Sequence, residues 1–563
     1  PAASAVVDRH GVIDAGNIGD DLLRPAPERP FGVATDLDRF ADAVGDAVTA
    51  ADLVVVEPGD LIRAAAYAPY APGTAGEQRQ QALADLDQLL GRITVPLGDD
   101  VLVIVVGLTG SDPLAPLVLA GGGWQGGGFA SPSTRHAHLA TFSDLTPTVL
   151  EALGIDHPRS MVGKPLRWHD EAPARSDLDR EQQLIRTRDH GYSNIVDLLV
   201  LGSLVLLGAT ATVAVARRRA PGSRLARAPA GWLGVAVLAL ATVPAATFVV
   251  RGIGPLYRPG PGSVVAVVAV AVVVALTASR RSAHPLGPLT AVSALTWLLL
   301  TVDLSVGAPL QASSFLGYTP SVAARFAGIG NAGFAVYAAA ATVVVAGLLR
   351  RPRHRAALPL AVAVAVVTIV ADGAPWLGAD VGGILTLVPT FGVVLWWSTG
   401  RRPTWRSATA VLLATVAVLA VAVGLEALRP DAGRTHIGRF FLGGDGVGSL
   451  DTVRRKWDVN VALLRNSDWA TLTWIGVAFA ALTLVVADGW RRAYGVGRAR
   501  IGLVGLGLVA VLGWATNDSG PVVSGLVAVT IAAHVAALVL AEPDEPRWVE
   551  PEPGARPQPE ARP

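Results

Sequence analysis

The sequence predicts an α/β domain followed by an all-α polytopic membrane bundle of about eleven helices, since each crossing needs about 20 apolar residues. Three observations carry that prediction. Up to residue 193 the chain alternates charged helix-like and short strand-like stretches; from Ile195 onward Ala/Val/Leu-rich runs recur, separated by short Arg- or Gly/Pro-containing loops. The loops between those runs alternate between Arg-rich and Arg-poor.

The runs place spans near 194–216, 231–250, 263–279, 286–303, 327–349, 356–372, 383–399, 407–427, 470–487, 501–516 and 520–541. Basic loops mark the cytoplasmic side. Arg217, Arg218, Arg219, Arg224 and Arg227 follow the first span, Arg280 and Arg281 the third, and Arg350, Arg351, Arg353 and Arg355 the fifth. Arg401, Arg402 and Arg406 follow the seventh, and Arg491, Arg492, Arg498 and Arg500 the ninth. The intervening loops carry only Arg251, Arg258 and Arg325. This alternation predicts a multi-pass plasma-membrane protein with an extracytoplasmic N-terminal domain and a cytoplasmic, disordered, Pro-rich tail at 542–563. Arg175, Arg180, Arg186 and Arg188, on the outer flank of the first span, run against the trend and are outnumbered.

An exported domain needs a leader, yet Pro1 is not an initiator Met and no basic-then-apolar segment precedes Asp8, so the α/β domain is expected to be N-terminally incomplete. With 0 cysteines it has no disulfide framework and must be held by its apolar core. The formal net charge of +1 names no partner, because the Arg-rich cytoplasmic loops offset an acidic N-terminal domain, and no nucleic-acid partner is expected. The partners implied are membrane lipids.

In the N-terminal domain, strands are expected at Ala5–Val7, Leu53–Glu57, Val101–Val106 and Leu117–Leu119, and helices at Asp36–Ala50, Gly76–Ile93 and Ser143–Leu153. Strand-helix-strand order implies a mostly parallel sheet covered on both faces, with ligands at the carboxyl ends of strands. The acids at those ends are Asp8, Glu57 and Asp60.

Three stretches over 1–170 resemble the alkaline phosphatase superfamily, which includes sulfatases, phosphoglycerate mutases and phosphoethanolamine transferases. They are the helix Gln81–Gly91 leading into the strand Val101–Val106, the segment Thr141-Phe-Ser-Asp-Leu-Thr-Pro-Thr-Val-Leu-Glu-Ala-Leu-Gly-Ile155, and Met161-Val-Gly-Lys-Pro-Leu166. In active members the strand after the helix ends in Ser-Asp-His-Gly or similar, whose Asp and His bind one of two metal ions. Here Val106-Gly-Leu-Thr-Gly110 has neither ligand. A two-metal site needs several converging Asp and His donors, so the resemblance implies a degenerate, pseudoenzyme ectodomain with no cofactor. Its alternative is a phosphoethanolamine-type phosphotransferase using zinc or manganese, with its nucleophile in a missing N-terminal segment.

The candidate metal ligands under that alternative are Asp60, His136 and His138. Asp8 with His10 reads as a turn closed by Gly11, and Asp189-His190-Gly191 as part of a juxtamembrane linker at 171–193. The run Gly121–Gly128 lacks a following helix and reads as a flexible loop around Trp124 rather than a phosphate cradle.

The bundle carries its own signals. Gly317–Asn331 and Asp372–Gly383 are rich in Gly and Pro at membrane depth, a composition tolerated where backbone lines a cavity or packs on protein. Asn331 is expected inside a span, where amide groups are functional candidates. Arg325 is placed to clamp an anionic phosphate, with Asp372 or Asp380 balancing it or acting as a base. These segments resemble a group of bacterial polytopic membrane proteins in which Arg-Phe-x-Gly-x-Gly-Asn and Gly-x-Pro-x-Leu-Gly-Ala motifs follow an alkaline-phosphatase-like ectodomain. Their layout is similar to that of the glycosylphosphatidylinositol ethanolamine-phosphate transferases. In that group an acidic residue often follows the Asn; here it is Ala332.

The loop 428–469 interleaves His436, Arg439, Asp445, Asp451, Arg454, Arg455, Lys456 and Asp458 with Phe440, Phe441, Trp457 and Trp469. It suits an interfacial amphipathic helix near Leu450–Leu464, with Arg454 and Arg455 facing an anionic lipid-linked substrate. The functional expectation is an envelope protein that binds or handles a phosphorylated lipid or lipid-linked glycan. The phosphotransferase, and a transporter with a structural ectodomain, stand as alternatives.

Overall fold

The computed structural model describes residues 3–7, 13–14, 20–107, 114–124, 126–156, 158, 161–220, 223, 231–280, 284–322, 325–350, 355–400, 404–428, 449–485 and 499–541. The chain divides into two compact units, Pro1–Ala174 and Arg175–Pro563.

The first unit runs β1 (Ala3–Val7), β2 (Ile13–Asp14), β3 (Leu23–Pro25), β4 (Val33–Thr35), α1 (Leu37–Ala50), β5 (Leu53–Glu57), α2 (Asp60–Tyr67) and α3 (Ala75–Thr94). It continues with β6 (Val103–Val106), β7 (Leu117–Ala120), β8 (Gly128–Ser131), β9 (His136–Ala137), α4 (Leu145–Ala152) and β10 (Arg167–His169). Asp36 starts α1 by accepting the Arg39 backbone N–H at 3.2 Å, and extended Ala51 stops it. Phe40 and Val44, four residues apart on one face, pack with Leu22 and with Leu89 of α3 into a small core. Arg92 of α3 pairs with Asp38 of α1 on the exposed surface beside that core.

The expected parallel sheet is not what the described residues form. Every strand pairing among them is antiparallel: β1 lies between β2 and β5, β8 between β9 and β10, while β3 pairs with β4 and β6 with β7. The strands are short and several are joined by turns rather than by helical crossovers, and only a crossover makes neighbours parallel. The Gly-rich run links β7 to β8, which lie in different sheets: Gly121, Gly122, Gly123, Gly126 and Gly127 have positive φ, and β8 begins at Gly128.

Asp144 organises the second half of this unit. It is fully buried and accepts hydrogen bonds from the Ser131 and Ser133 hydroxyls and from the Thr141 and Lys164 backbone N–H groups. Its own carbonyl accepts the Thr148 hydroxyl at 2.6 Å, and that hydroxyl oxygen accepts the Leu166 N–H at 2.9 Å. The Asp-Leu-Thr-Pro-Thr segment therefore ties α4 to β8 and to the chain before β10. Asp144→Ala strands four donors, the buried Ser131 hydroxyl and three on half-buried residues, a loss of about 3 kcal/mol. Pulse proteolysis of the full-length protein should show the first unit unfolding at correspondingly lower denaturant.

Asp60, the first residue of α2, accepts the Thr35 N–H at 3.2 Å and lies 2.8 Å from the Arg63 guanidinium. Burial alone would raise its carboxyl, but the bonds from Thr35 and Arg63 and the Arg63 charge outweigh it and hold Asp60 below the ordinary carboxylate value. A lowered folded value means stability that is complete above the unfolded value of about 3.9 and lost as pH falls through the folded one. The stability gap between wild type and Asp60→Asn should accordingly be full at neutral pH and close in acid denaturation titrations below about pH 4.

The second unit is a helical bundle. Its helices are α5 (Arg175–Arg219), α6 (Gly231–Gly252), α7 (Pro261–Ser279), α8 (Gly287–Ser305), α9 (Asn331–Leu349), α10 (Ala357–Gly373), α11 (Val381–Ser398) and α12 (Trp405–Ala427). Then come α13 (Ser449–Asn466), α14 (Asp468–Val485), α15 (Ala499–Thr516) and α16 (Gly520–Leu540). Among the described residues 8 helices are long and apolar enough to cross a membrane, and α10 and the 500–516 segment are shorter apolar helices. With α14, a helix occupies each of the expected span positions. These apolar helices make the chain an integral membrane protein. α9 and α16 form the centre, with 83% and 78% of their apolar windows buried, whereas α12 has 11% buried and presents Leu412, Leu413, Val416 and Val421 outward. Outward apolar faces of that kind suit lipid.

Two boundaries differ from expectation. The stretch read as a linker is helical from Arg175, continuous with the first span. Its Gly191 is not incidental, because Phe315 packs where a side chain would stand. The span expected from residue 327 begins at Asn331, the first residue of α9, and the six residues before it are in irregular backbone.

Candidate functional site

The site lies at the end of the bundle where α9, α11 and α16 begin and α8, α10 and α15 finish. α10 stops at Gly373, where Pro375 two residues on cannot prolong the helical hydrogen bonding. The chain turns back on the helix: Gly378 N–H donates to the Ala371 carbonyl at 2.9 Å and Asp380 N–H to the Asp372 carbonyl at 3.0 Å. Asp380 then caps α11, its Oδ1 accepting the Gly382 N–H at 3.1 Å.

The segment before α9 docks on this turn. Ile329 N–H donates to the Gly378 carbonyl at 3.1 Å, and Gly328, with φ +76°, lies so close to that carbonyl that no Cβ would fit. Arg325 Nη1 donates to the Ile329 carbonyl and, at 3.3 Å, to the Gly378 carbonyl, while Nη2 lies 3.9 Å from Asp380 Oδ1. The two Gly/Pro segments are therefore one structure. Arg325, Asn331, Asp372 and Asp380, scattered along the sequence, meet there. Arg325 keeps 28% of its side chain exposed and Asn331 is half-buried, whereas Asp372 and Asp380 are buried.

Asp372 has no exposed surface, and neither of its carboxylate oxygens has a hydrogen-bond partner among the described residues. It packs directly on Gly383 in the first turn of α11, where a Cβ would collide with it. One turn earlier in α10, the Thr368 hydroxyl accepts the Trp297 indole N–H at 2.9 Å, and Thr301 and Tyr337 share a hydrogen bond of 2.8 Å. Tyr337 lies six residues into α9, about 9 Å from its start at 1.5 Å per residue. A buried file of polar side chains thus runs inward from Asp372.

Residues that the sequence reading missed complete this end. Asp303 of α8 accepts the Leu310 N–H at 2.8 Å and meets Gln311 Nε2 at 3.4 Å. Arg251 Nε donates to the Ala312 carbonyl, and the Tyr257 hydroxyl to that of Ser313. An acid at a span end followed by a polar Gly/Ser loop was the available signal for Asp303 and Gln311.

Asn460 of α13 was also missed, and it fixes that helix to the bundle. Its Nδ2 donates to the carbonyls of Trp514 and Asn517 at 3.2 and 3.0 Å, and its Oδ1 accepts the Gly520 N–H at 2.9 Å. Thr516 in turn bonds Thr386 and the Gly382 carbonyl, which carries the lock to the start of α11. The expected amphipathic helix is α13, with Trp457 exposed and stacked edge-on to Trp514. Arg454 on α13 is exposed; Arg455 belongs to the same helix, but its side chain, with those of Asp451 and Lys456, is outside the described residues. So are His436, Arg439, Phe440, Phe441 and Asp445. Asn460→Ala removes three buried bonds, about 3 kcal/mol in all. Amide exchange at 514–520 should accelerate by about a hundredfold, one decade per 1.4 kcal/mol.

In the first unit the candidate metal ligands do not gather. Asp60 is engaged by Thr35 and Arg63, His136 is exposed on β9, and the His138 ring meets the His169 ring at 5.3 Å. Among the described residues no group of three or more His, Asp or Glu side chains is arranged to hold a metal. Asp8, His10 and residues 108–110, and the tail from 542, are outside the described residues.

Comparison with known proteins finds no matching family model, no matching curated protein and no matching solved structure.

Proposed function

We propose that the bundle recognises the phosphate of a phosphorylated lipid or lipid-linked glycan at the Arg325–Asn331 end, with that end facing the extracytoplasmic side. The observation that carries this reading is the Arg325 guanidinium. It is anchored through Nη1 to two backbone carbonyls, so its orientation is set, yet it remains partly exposed. The adjoining α9 begins at Asn331 with Gly330 as a cap that has no side chain to satisfy the first-turn N–H groups. A fixed guanidinium beside an uncapped helix start offers both charge and donors to a phosphate. Position at a membrane-helix end suits a headgroup whose lipid tail stays in the bilayer. In this reading the ectodomain is a non-catalytic recognition domain.

Losing one charge-assisted contact costs about 1.5–3 kcal/mol, so Arg325→Ala should weaken binding of a long-chain polyprenyl phosphate about 10- to 100-fold in nanodiscs of uncharged lipid. The corresponding polyprenol should bind poorly to both proteins. Equal phosphate-lipid binding by wild type and variant would sink the proposal.

One observation favours a second reading, movement of the ligand through the bundle: the buried polar file from Asp372 past Thr368 and Tyr337. In proteoliposomes, Tyr337→Phe would then reduce flux while leaving binding intact.

A further inference from the structure

We infer that Asp372 and Asp380 form a binding site for one monovalent inorganic cation, Na⁺. This goes beyond the phosphate-lipid reading and does not rest on it.

The charge count is the first argument. Two acids stand together where α10 ends and α11 begins, Asp372 fully buried and Asp380 4% exposed. Arg325 is the cation set against them, and its Nη2 stands 3.9 Å from Asp380 Oδ1. Asp518, in the turn between α15 and α16, adds negative charge on the Asp380 side but is exposed to solvent and so lies outside the count of buried charges. A buried carboxylate without a counter-charge is among the most costly arrangements in a protein interior. One positive charge beyond Arg325 answers the pair, which selects a monovalent ion over a divalent one.

The donors are the second argument. Asp380 Oδ1 is spent on capping α11, but its Oδ2 is buried without a hydrogen bond among the described residues, as are both oxygens of Asp372. Three hard oxygen donors with no protein partner are what an alkali cation takes. Gly383, on which Asp372 packs, has no side chain to separate it from the start of α11.

The backbone is the third argument. Asp372 is the penultimate residue of α10, at the helix end whose carbonyls carry partial negative charge. An interrupted helix pair with irregular backbone at membrane depth, C-terminal carbonyls on one side and a carboxylate within, is a setting in which membrane proteins bind Na⁺.

The test is equilibrium binding of ²²Na⁺ to the purified full-length protein, in choline chloride at fixed ionic strength and at pH values from 6 to 9. Thermal midpoints are read in NaCl and in choline chloride. Saturable binding of one ion per chain is expected, with a higher midpoint in Na⁺ than in choline. Asp372→Asn and Asp380→Asn should each weaken binding at least tenfold. Asp372→Asn should also keep a midpoint in choline at or above the wild-type value, since it removes an uncompensated charge; a variant that merely misfolds would melt lower. Wild type that shows no Na⁺ binding at any of these pH values overturns the proposal and leaves a proton as the occupant. Binding that persists undiminished in both variants overturns it as well. Neither readout involves a lipid ligand, so failure of the phosphate-lipid reading would leave this result unaffected.

Discussion

A membrane-spanning bundle can contain non-helical backbone only if that backbone finds its hydrogen bonds within the protein. At one end of this bundle two irregular segments are joined at one acceptor, the Gly378 carbonyl, which takes the Ile329 N–H and the Arg325 guanidinium together. From that contact the rest follows. It pins the chain before α9 to the turn after α10, sets the first residue of α9 at Asn331, and holds Arg325 beside Asp380. Gly328 permits it by its positive φ and by the absence of a Cβ.

The same end shows how polar groups are managed in a chain with this much apolar helix. Asp303, Asn460 and Asn517 are buried, and each bonds to backbone: Asn460 joins α13 to the turn between α15 and α16, while Asp303 and Asn517 secure the ends of their own helices. Asp372 is different: it is as buried as any of them, and its carboxylate has no such partner among the described residues. Satisfied buried polar groups explain themselves by the order they impose, whereas an unsatisfied acid calls for something else to occupy its surroundings. That contrast separates scaffolding from candidate site more sharply than residue type does.

Asp144 makes the corresponding point for the first unit. Its carboxylate is consumed by two hydroxyls and two N–H groups. Its geometry accounts for an Asp-Leu-Thr-Pro-Thr sequence by folding alone, with no chemistry required.

Read by itself, the sequence determined the split into two parts, the positions of the helices in the bundle, and the helices α1, α3 and α4, because these depend on local hydrophobic period, run length and capping. It also singled out Arg325, Asn331, Asp372 and Asp380, because Gly, Pro and charge at membrane depth are conspicuous in any apolar run. Tertiary structure alone decided the antiparallel strand pairing, since which short strands pair depends on contacts between distant residues. It alone brought Arg325 to Gly378 and Asp380, and Asn460 to Trp514, Asn517 and Gly520. And it alone distinguished Asp372 from the other buried acids and amides, because whether a polar group finds a partner is a property of three-dimensional neighbours.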